Sequence, residues 1–140
     1  MNKDKLSWRL PTKEELNLMY GNLHKKGLGN FAIEAYWSSF EFDSSNAWYQ
    51  YFGFGYQYSY IKGANLRVRA VRSFKLQEGE KYKIGQETET GFIFDIQRDL
   101  IFECKKEDEP KWMTWGDAMQ EFRGKNENLE HESLRQLLKL

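Results

Sequence analysis

Between residues 48 and 60 the chain carries eight aromatic side chains, Trp48, Tyr49, Tyr51, Phe52, Phe54, Tyr56, Tyr58 and Tyr60, set among Gly, Ser and Gln. Rings at this density offer noncovalent recognition: broad apolar contact with phenol hydroxyls as hydrogen-bonding handles. Strand side chains alternate between faces with period two, so one short antiparallel ribbon cannot hide all of these rings on its inner face. The surplus must meet solvent or a partner. Tyr, Ser, Gly and Asn are also the residues of antibody-type paratopes, in which Tyr supplies area at low rotamer cost and the small polar residues adapt. The alternative is an aromatic core hairpin, since aromatics are ordinary strand residues.

Other reactive groups are sparse. Cys104 is the single cysteine, neither His24 nor His131 is tied to it by spacing, and no CxxC pair or Cys/His cluster has zinc spacing. A lone strand cysteine reads as a small buried hydrophobe. Glu103, Glu107, Asp108 and Glu109 could invite a cation, but an acidic run beside lysines reads as a solvated loop. Arg67, Arg69 and Arg72 are expected to hold carboxylates or aromatic faces within the fold, ahead of a phosphate site.

These residues need positioning elements. The 140 residues suffice for one domain with a real core. Lys plus Arg, 21, equal Asp plus Glu, 21, which disfavours a nucleic-acid partner or an anionic membrane surface. The start MNKDKLSW lacks an apolar signal core and no apolar run is long enough to span a bilayer, so a cytoplasmic or particle-associated chain is expected. Thr12 and Glu15 form a capping box that starts a helix running to about Lys25, with Leu16, Met19, Tyr20 and Leu23 on one face. Strands are predicted near 36–40, 47–52, 56–60 and 66–73, the last half-buried, with Leu66, Val68 and Ala70 alternating against Arg67 and Arg69. A short strand is placed at 82–84 within a connection over 75–91. A tight hairpin joins 92–96 to 100–104 through Gln97-Arg98-Asp99. Thr114 caps a helix bearing Trp115, Ala118, Met119 and Phe122, and Leu134, Leu137 and Leu138 suggest a short terminal helix in an extension over 124–140. Trp8, Leu16, Trp37, Trp48, Phe52 and Val68 are the expected core.

Four words, WRLPTKEEL (Trp8 to Leu16), YWSS (Tyr36 to Ser39), AWYQYF (Ala47 to Phe52) and RVRAVRSF (Arg67 to Phe74), occur in order in the first half of the chain. Together they resemble a bacterial and phage family of C-type-lectin-like domains, found at the C-terminus of collagen-like proteins and among the variable proteins of diversity-generating retroelements. The resemblance implies an α+β class, a C-type-lectin-like fold of the formylglycine-generating-enzyme-like branch, with antiparallel strands and two main helices. In that family a hairpin and helix precede the WRLPT word, whereas here the candidates, within 92–123, follow RVRAVRSF. The order looks circularly permuted, with 1–74 the family core and 75–91 joining the old ends, an arrangement open to folds whose termini meet. It requires the 92–104 hairpin to pair with the 67–73 strand and the Thr114 helix to share a core with the Thr12 helix. An unrelated appendage over 75–140 is the alternative.

The resemblance implies a non-enzymatic, receptor-type binding module without cofactor or metal. Its surface comprises Phe40, Phe42, Asp43, Ser44, Ser45, Asn46, Tyr51, Phe54, Tyr56, Tyr58, Ser59, Tyr60 and Asn65, facing a macromolecular ligand such as a protein or cell-surface component. Retroelement mutagenesis of AAY codons yields NNY codons, which cannot encode Lys, Gln, Glu, Trp or Met, and all thirteen residues are of NNY-encodable type. The excluded types, Glu41, Trp48, Gln50, Gln57 and Lys62, fall where the family pattern holds fixed residues. The calcium-and-sugar words of true C-type lectins, EPN or QPD followed by WND, are absent. Formylglycine-generating chemistry needs a cysteine pair, so an enzyme of that type with an altered site is the runner-up. A structural subunit of a phage or surface assembly is the third reading.

Overall fold

Thr12 starts the first helix as its sequence requires. In the computed structural model, which describes residues 8–122, the Thr12 hydroxyl accepts from the Glu15 amide at 3.0 Å and the Glu15 carboxylate accepts from the Thr12 amide at 2.9 Å. This closes the capping box. Helix α1 (Lys13–Asn22) buries Leu16 and Met19, and a 3₁₀ turn (His24–Lys26) then ends at Gly27, whose φ of 75° lies in the left-handed region. The helical stretch expected to Lys25 is thus present in two pieces.

The described residues form an α+β fold of two helices and two antiparallel three-stranded sheets. The first sheet holds β1 (Ala35–Glu41), β2 (Asn46–Tyr51) and β3 (Gln57–Ile61) in that spatial order. Asp43 closes the β1–β2 turn by accepting from the Ser45 and Asn46 amides, both at 2.8 Å. Gly55 closes the next turn at φ 85°, where a Cβ would lie 2.4 Å from the Tyr20 ring. The second sheet holds β4 (Val71–Lys75), β5 (Gly91–Gln97) and β6 (Leu100–Lys105) in the order β4-β6-β5. Arg98, at φ 58°, turns β5 into β6. The second helix, α2 (Trp115–Phe122), is capped by the Thr114 hydroxyl, which accepts from the Asp117 amide at 3.2 Å.

Three sequence expectations are corrected. The 66–73 strand is a ladder strand only from Val71; Leu66 and Arg67 make isolated bridges to Met113 and Tyr36. Its half-buried alternation also fails, because Arg69 is as fully buried as Val68 and Ala70, its charge answered inside the fold. Residues 82–84 form no strand, and pairing to β5 begins instead at Glu87 and Phe92. The terminal helix at Leu134–Leu138 lies outside the described residues.

The 92–104 hairpin pairs with the earlier chain as permutation requires, β6 lying along β4 with Val71 opposite Cys104 and Ser73 opposite Phe102. The helices, however, do not share one cluster. Leu16 and Met19 of α1 and its C-cap Leu23 pack with Tyr36, Phe52, Phe94 and Phe102, while Ala118 and Phe122 of α2 pack with Leu10, Trp37, Leu66 and Val68.

Buried arginines stitch these clusters together. Arg9 meets Glu15 in a two-pronged contact at 2.7 and 2.8 Å, and Arg72 donates to Glu103 at 2.9 Å. Asp108 accepts from Arg69 at 2.9 Å, Arg67 at 3.2 Å and the Tyr36 hydroxyl at 2.8 Å. Aromatic faces cover the same guanidiniums: Phe31 lies 4.2 Å from Arg69, Trp112 4.7 Å from Arg67 and Trp8 4.4 Å from Arg72. Removing one partner of a buried pair strands the other charge, at about 3–5 kcal/mol. Asp108→Ala should therefore lower the unfolding free energy in urea by about that amount, whereas Asp99→Ala, breaking an exposed contact to Lys75, should change it by less than about 1 kcal/mol.

Candidate binding face on strands β2 and β3

Register decides which rings are hidden. Trp37, Tyr49 and Tyr58 lie opposite one another across β1, β2 and β3, and Ala47 lies opposite Tyr60, so these side chains share one face. Tyr36, Gln50 and Gln57 share the other, as do Trp48 and Ser59.

The second of these faces is packed on α1. The Gln50 amide donates to the Asn17 side chain at 3.1 Å and the Gln57 amide to the Lys13 carbonyl at 2.7 Å, and the two glutamines bond each other at 3.0 Å. Trp48 is not the core residue expected. It is half-buried, with the Lys13 ammonium 3.4 Å from its ring centre and Phe42 edge-on at 5.3 Å.

Among the described residues, the first face is covered only at its β1 end. Trp37 is fully buried under Met113, Ala118 and Phe122 and donates its indole N–H to the Met113 carbonyl at 2.8 Å. Tyr49 is half-buried at the margin of that cluster. Beyond it the rings stand open, Tyr58 at 61% exposure and Phe54 at 82%. They touch in an unbroken series: Phe54 to Tyr51 at 6.0 Å, Tyr51 to Tyr56 at 5.2 Å, Tyr56 to Tyr58 at 5.1 Å, Tyr56 to Tyr49 at 6.5 Å and Tyr49 to Tyr60 at 5.9 Å. Such offset and tilted contacts suit aromatic quadrupoles and hold each ring against its neighbours.

The structure thus gathers Tyr51, Phe54, Tyr56, Tyr58 and Tyr60 and adds Tyr49, which sequence reasoning missed. Period-two spacing from Tyr51 was the signal that could have found it. The other expected residues do not join this face. Phe42 turns to Trp48, and Ser59 lies on the α1 side by register. Phe40 is half-buried late in β1; Asp43, Ser44 and Ser45 are exposed in the β1–β2 turn and Asn46 begins β2; Asn65 is exposed after β3. Lys62 donates to the Ser44 carbonyl at 3.1 Å and pairs with Glu41, fixing that turn beside the end of β3.

Burial, then the neighbouring phenols, raises the Tyr49 pKa. Asp43, by contrast, is held below the ordinary carboxylate range, first by the Ser45 amide. Cys104 is fully buried, and desolvation pushes its thiol up to about 11, so it is protonated at neutral pH and inert as a nucleophile. The acidic run is dispersed: Glu103 serves Arg72, Asp108 serves Arg67 and Arg69, and Glu109 serves Lys105. Among the described residues no group of three His, Cys, Asp or Glu could hold a metal. No protein-family model, curated protein or solved structure matches this chain.

Two outcomes follow from this burial pattern. Tyr58→Ala should change unfolding free energy by no more than about 0.5 kcal/mol, the range of surface changes, and Phe52→Ala should cost about 3–5 kcal/mol by emptying a core site. Between about pH 9 and 11 the unfolded chain ionises its cysteine while the folded one does not. Stability carried by the protonated thiol is full below pH 9 and falls through this window, so the difference between wild type and Cys104→Ala should shift in the variant's favour as pH rises.

Proposed function

We propose that the protein is a non-enzymatic ligand-binding module of C-type-lectin-like fold that grips a protein or cell-surface macromolecule with the ring face of β2 and β3. One observation carries this reading: six aromatic rings in continuous contact occupy the bare half of a sheet whose opposite face is packed on α1. Contact energy concentrates in a few aromatic anchors set among tolerant polar neighbours, and these rings are held in place before a ligand arrives. The pairing of β6 with β4 supports a permuted order, since it places the late hairpin beside the RVRAVRSF strand, whereas the separate clusters of α1 and α2 count against it.

The side-chain types on the two faces support a retroelement-diversified surface. Trp48, Gln50 and Gln57, which NNY codons cannot encode, sit on the face packed against α1, and Glu41 and Lys62 pair with each other. The open rings are all of NNY-encodable type. A surface organised this way can change its contacts without disturbing the glutamines that fix the sheet to the helix.

The enzyme reading loses its nucleophile, because Cys104 is buried and protonated. To test the binding reading, fluorescently labelled protein is titrated onto bacterial cells and onto a protein array. Joint replacement of Phe54, Tyr56, Tyr58 and Tyr60 by Ser should abolish wild-type binding signals while the melting temperature stays within about 4 °C, the shift of roughly 1 kcal/mol. Cys104→Ala should leave binding intact. Binding lost with Cys104→Ala and retained by the ring variant would move the protein to the enzyme class.

A further inference from the structure

We propose that two copies of this chain pair through the outer edge of β3, antiparallel about a two-fold axis at Ser59, to form a continuous six-stranded sheet. The inference concerns the backbone edge of β3 and goes beyond the ring-face reading.

Tyr51 donates its amide to the Tyr56 carbonyl and Lys62 donates to the Ser45 carbonyl, both at 2.9 Å, which fixes the phase of the β2–β3 ladder. In an antiparallel pair, hydrogen-bonded and non-hydrogen-bonded positions alternate, so Tyr58 and Tyr60 spend their backbone groups on β2. Gln57, Ser59 and Ile61 point theirs away from it. The Ile61 carbonyl accepts from Ala64 at 3.1 Å, leaving outward the amides of all three and the carbonyls of Gln57 and Ser59. Among the described residues no strand or bridge pairs with that edge.

Natural sheets guard an open edge with proline, lysine, a bulge or a covering element. The strand Gln57-Tyr58-Ser59-Tyr60-Ile61 has none of the side-chain guards, and its pairing to β2 is unbroken in register. It is also self-complementary. With Ser59 opposite Ser59 of the second copy, each would donate and accept, and Tyr58 would face Tyr60 of the other copy in the close, non-hydrogen-bonded position. Gln57 would face Ile61. No charge on the strand opposes this register. Because two-fold contacts are self-complementary by construction, the near-palindrome Tyr-Ser-Tyr commits the edge to a second copy rather than to an unrelated peptide. The product carries two ring faces on one continuous sheet. A five-residue strand pair lies at the low end of specific interfaces, under about 1,200 Å² of buried surface, so pairing must depend on concentration.

The test combines sedimentation velocity over a wide concentration range with register-specific crosslinking. Cys104 is buried, so Ser59→Cys and Ile61→Cys each add one accessible thiol to the described surface. Wild type should sediment as a monomer–dimer equilibrium, and Ser59→Pro, which removes an outward amide without touching the ladder to β2, should sediment as a monomer with wild-type melting. Mild oxidation should link Ser59→Cys into a dimer and leave Ile61→Cys unlinked, since two copies of residue 61 would stand about 13 Å apart along the strands. A wild type that remains monomeric throughout overturns the proposal. So does a dimer in which Ser59→Cys fails to crosslink or Ile61→Cys crosslinks as readily. Sedimentation and crosslinking are read on chains whose rings are intact, so a ring variant that keeps its cell or array binding overturns the ring-face reading without touching these readouts, which separates the two readings.

Discussion

Asp108 is the residue on which the arrangement turns. Its carboxylate accepts from Arg67, Arg69 and the Tyr36 hydroxyl, drawing together the loop after β6, the extended run before β4 and strand β1. Arg69 also donates to the carbonyls of Gly29, Asn30 and Lys105, so one guanidinium ties the loop after the 3₁₀ turn to the end of β6. Buried charge is tolerated only when paired and fully hydrogen-bonded. That condition forces residues 66–70 to run between the two sheets, outside either ladder, and lets α2 seat on Trp37.

From that seating follows the asymmetry of the first sheet. Its β1 end is capped on one face by α2 and Met113, and its other face is held to α1 by the Gln50 and Gln57 side chains. Among the described residues the β2–β3 part of the α2 side remains bare, and there the sequence places tyrosine at 56, 58 and 60. Rigid glutamines behind and open rings in front divide the ribbon into a supporting face and a contact face. Loops would make a less exact platform, because rings on a sheet are positioned by backbone ladders and by one another.

The local signals in the sequence were strong where one principle acted alone. The Thr12 capping box, the three strands β1 to β3 and the 92–104 hairpin are short-range features, and they stand where pattern and turn chemistry put them. Trp48 misled because a tryptophan in a strand suggests core, yet register turns it to the α1 side, where Lys13 covers one ring face and Phe42 an edge. Arg67 and Arg69 hold a carboxylate and aromatic faces as expected; only the half-buried alternation fails, at Arg69, because the partner that buries it, Asp108, lies 39 residues away in a loop that looked solvated. The site was legible as to residue type and not as to grouping. Composition marked Phe42 and Tyr58 alike, whereas only the pairing register assigns them to opposite sides of the sheet.

A contact face on β2 and β3 requires a sheet that is packed on one side and bare on the other, and hydroxyl-radical footprinting of dilute protein with mass-spectrometric readout measures that most directly. Phe54, Tyr56, Tyr58 and Tyr60 are predicted to be oxidised at rates close to those of the unfolded chain, with Tyr36, Trp37 and Phe52 strongly protected. Protection of Tyr56, Tyr58 and Tyr60 equal to that of Tyr36 in the dilute monomer would contradict it, because the rings would then belong to the core and no open face would exist.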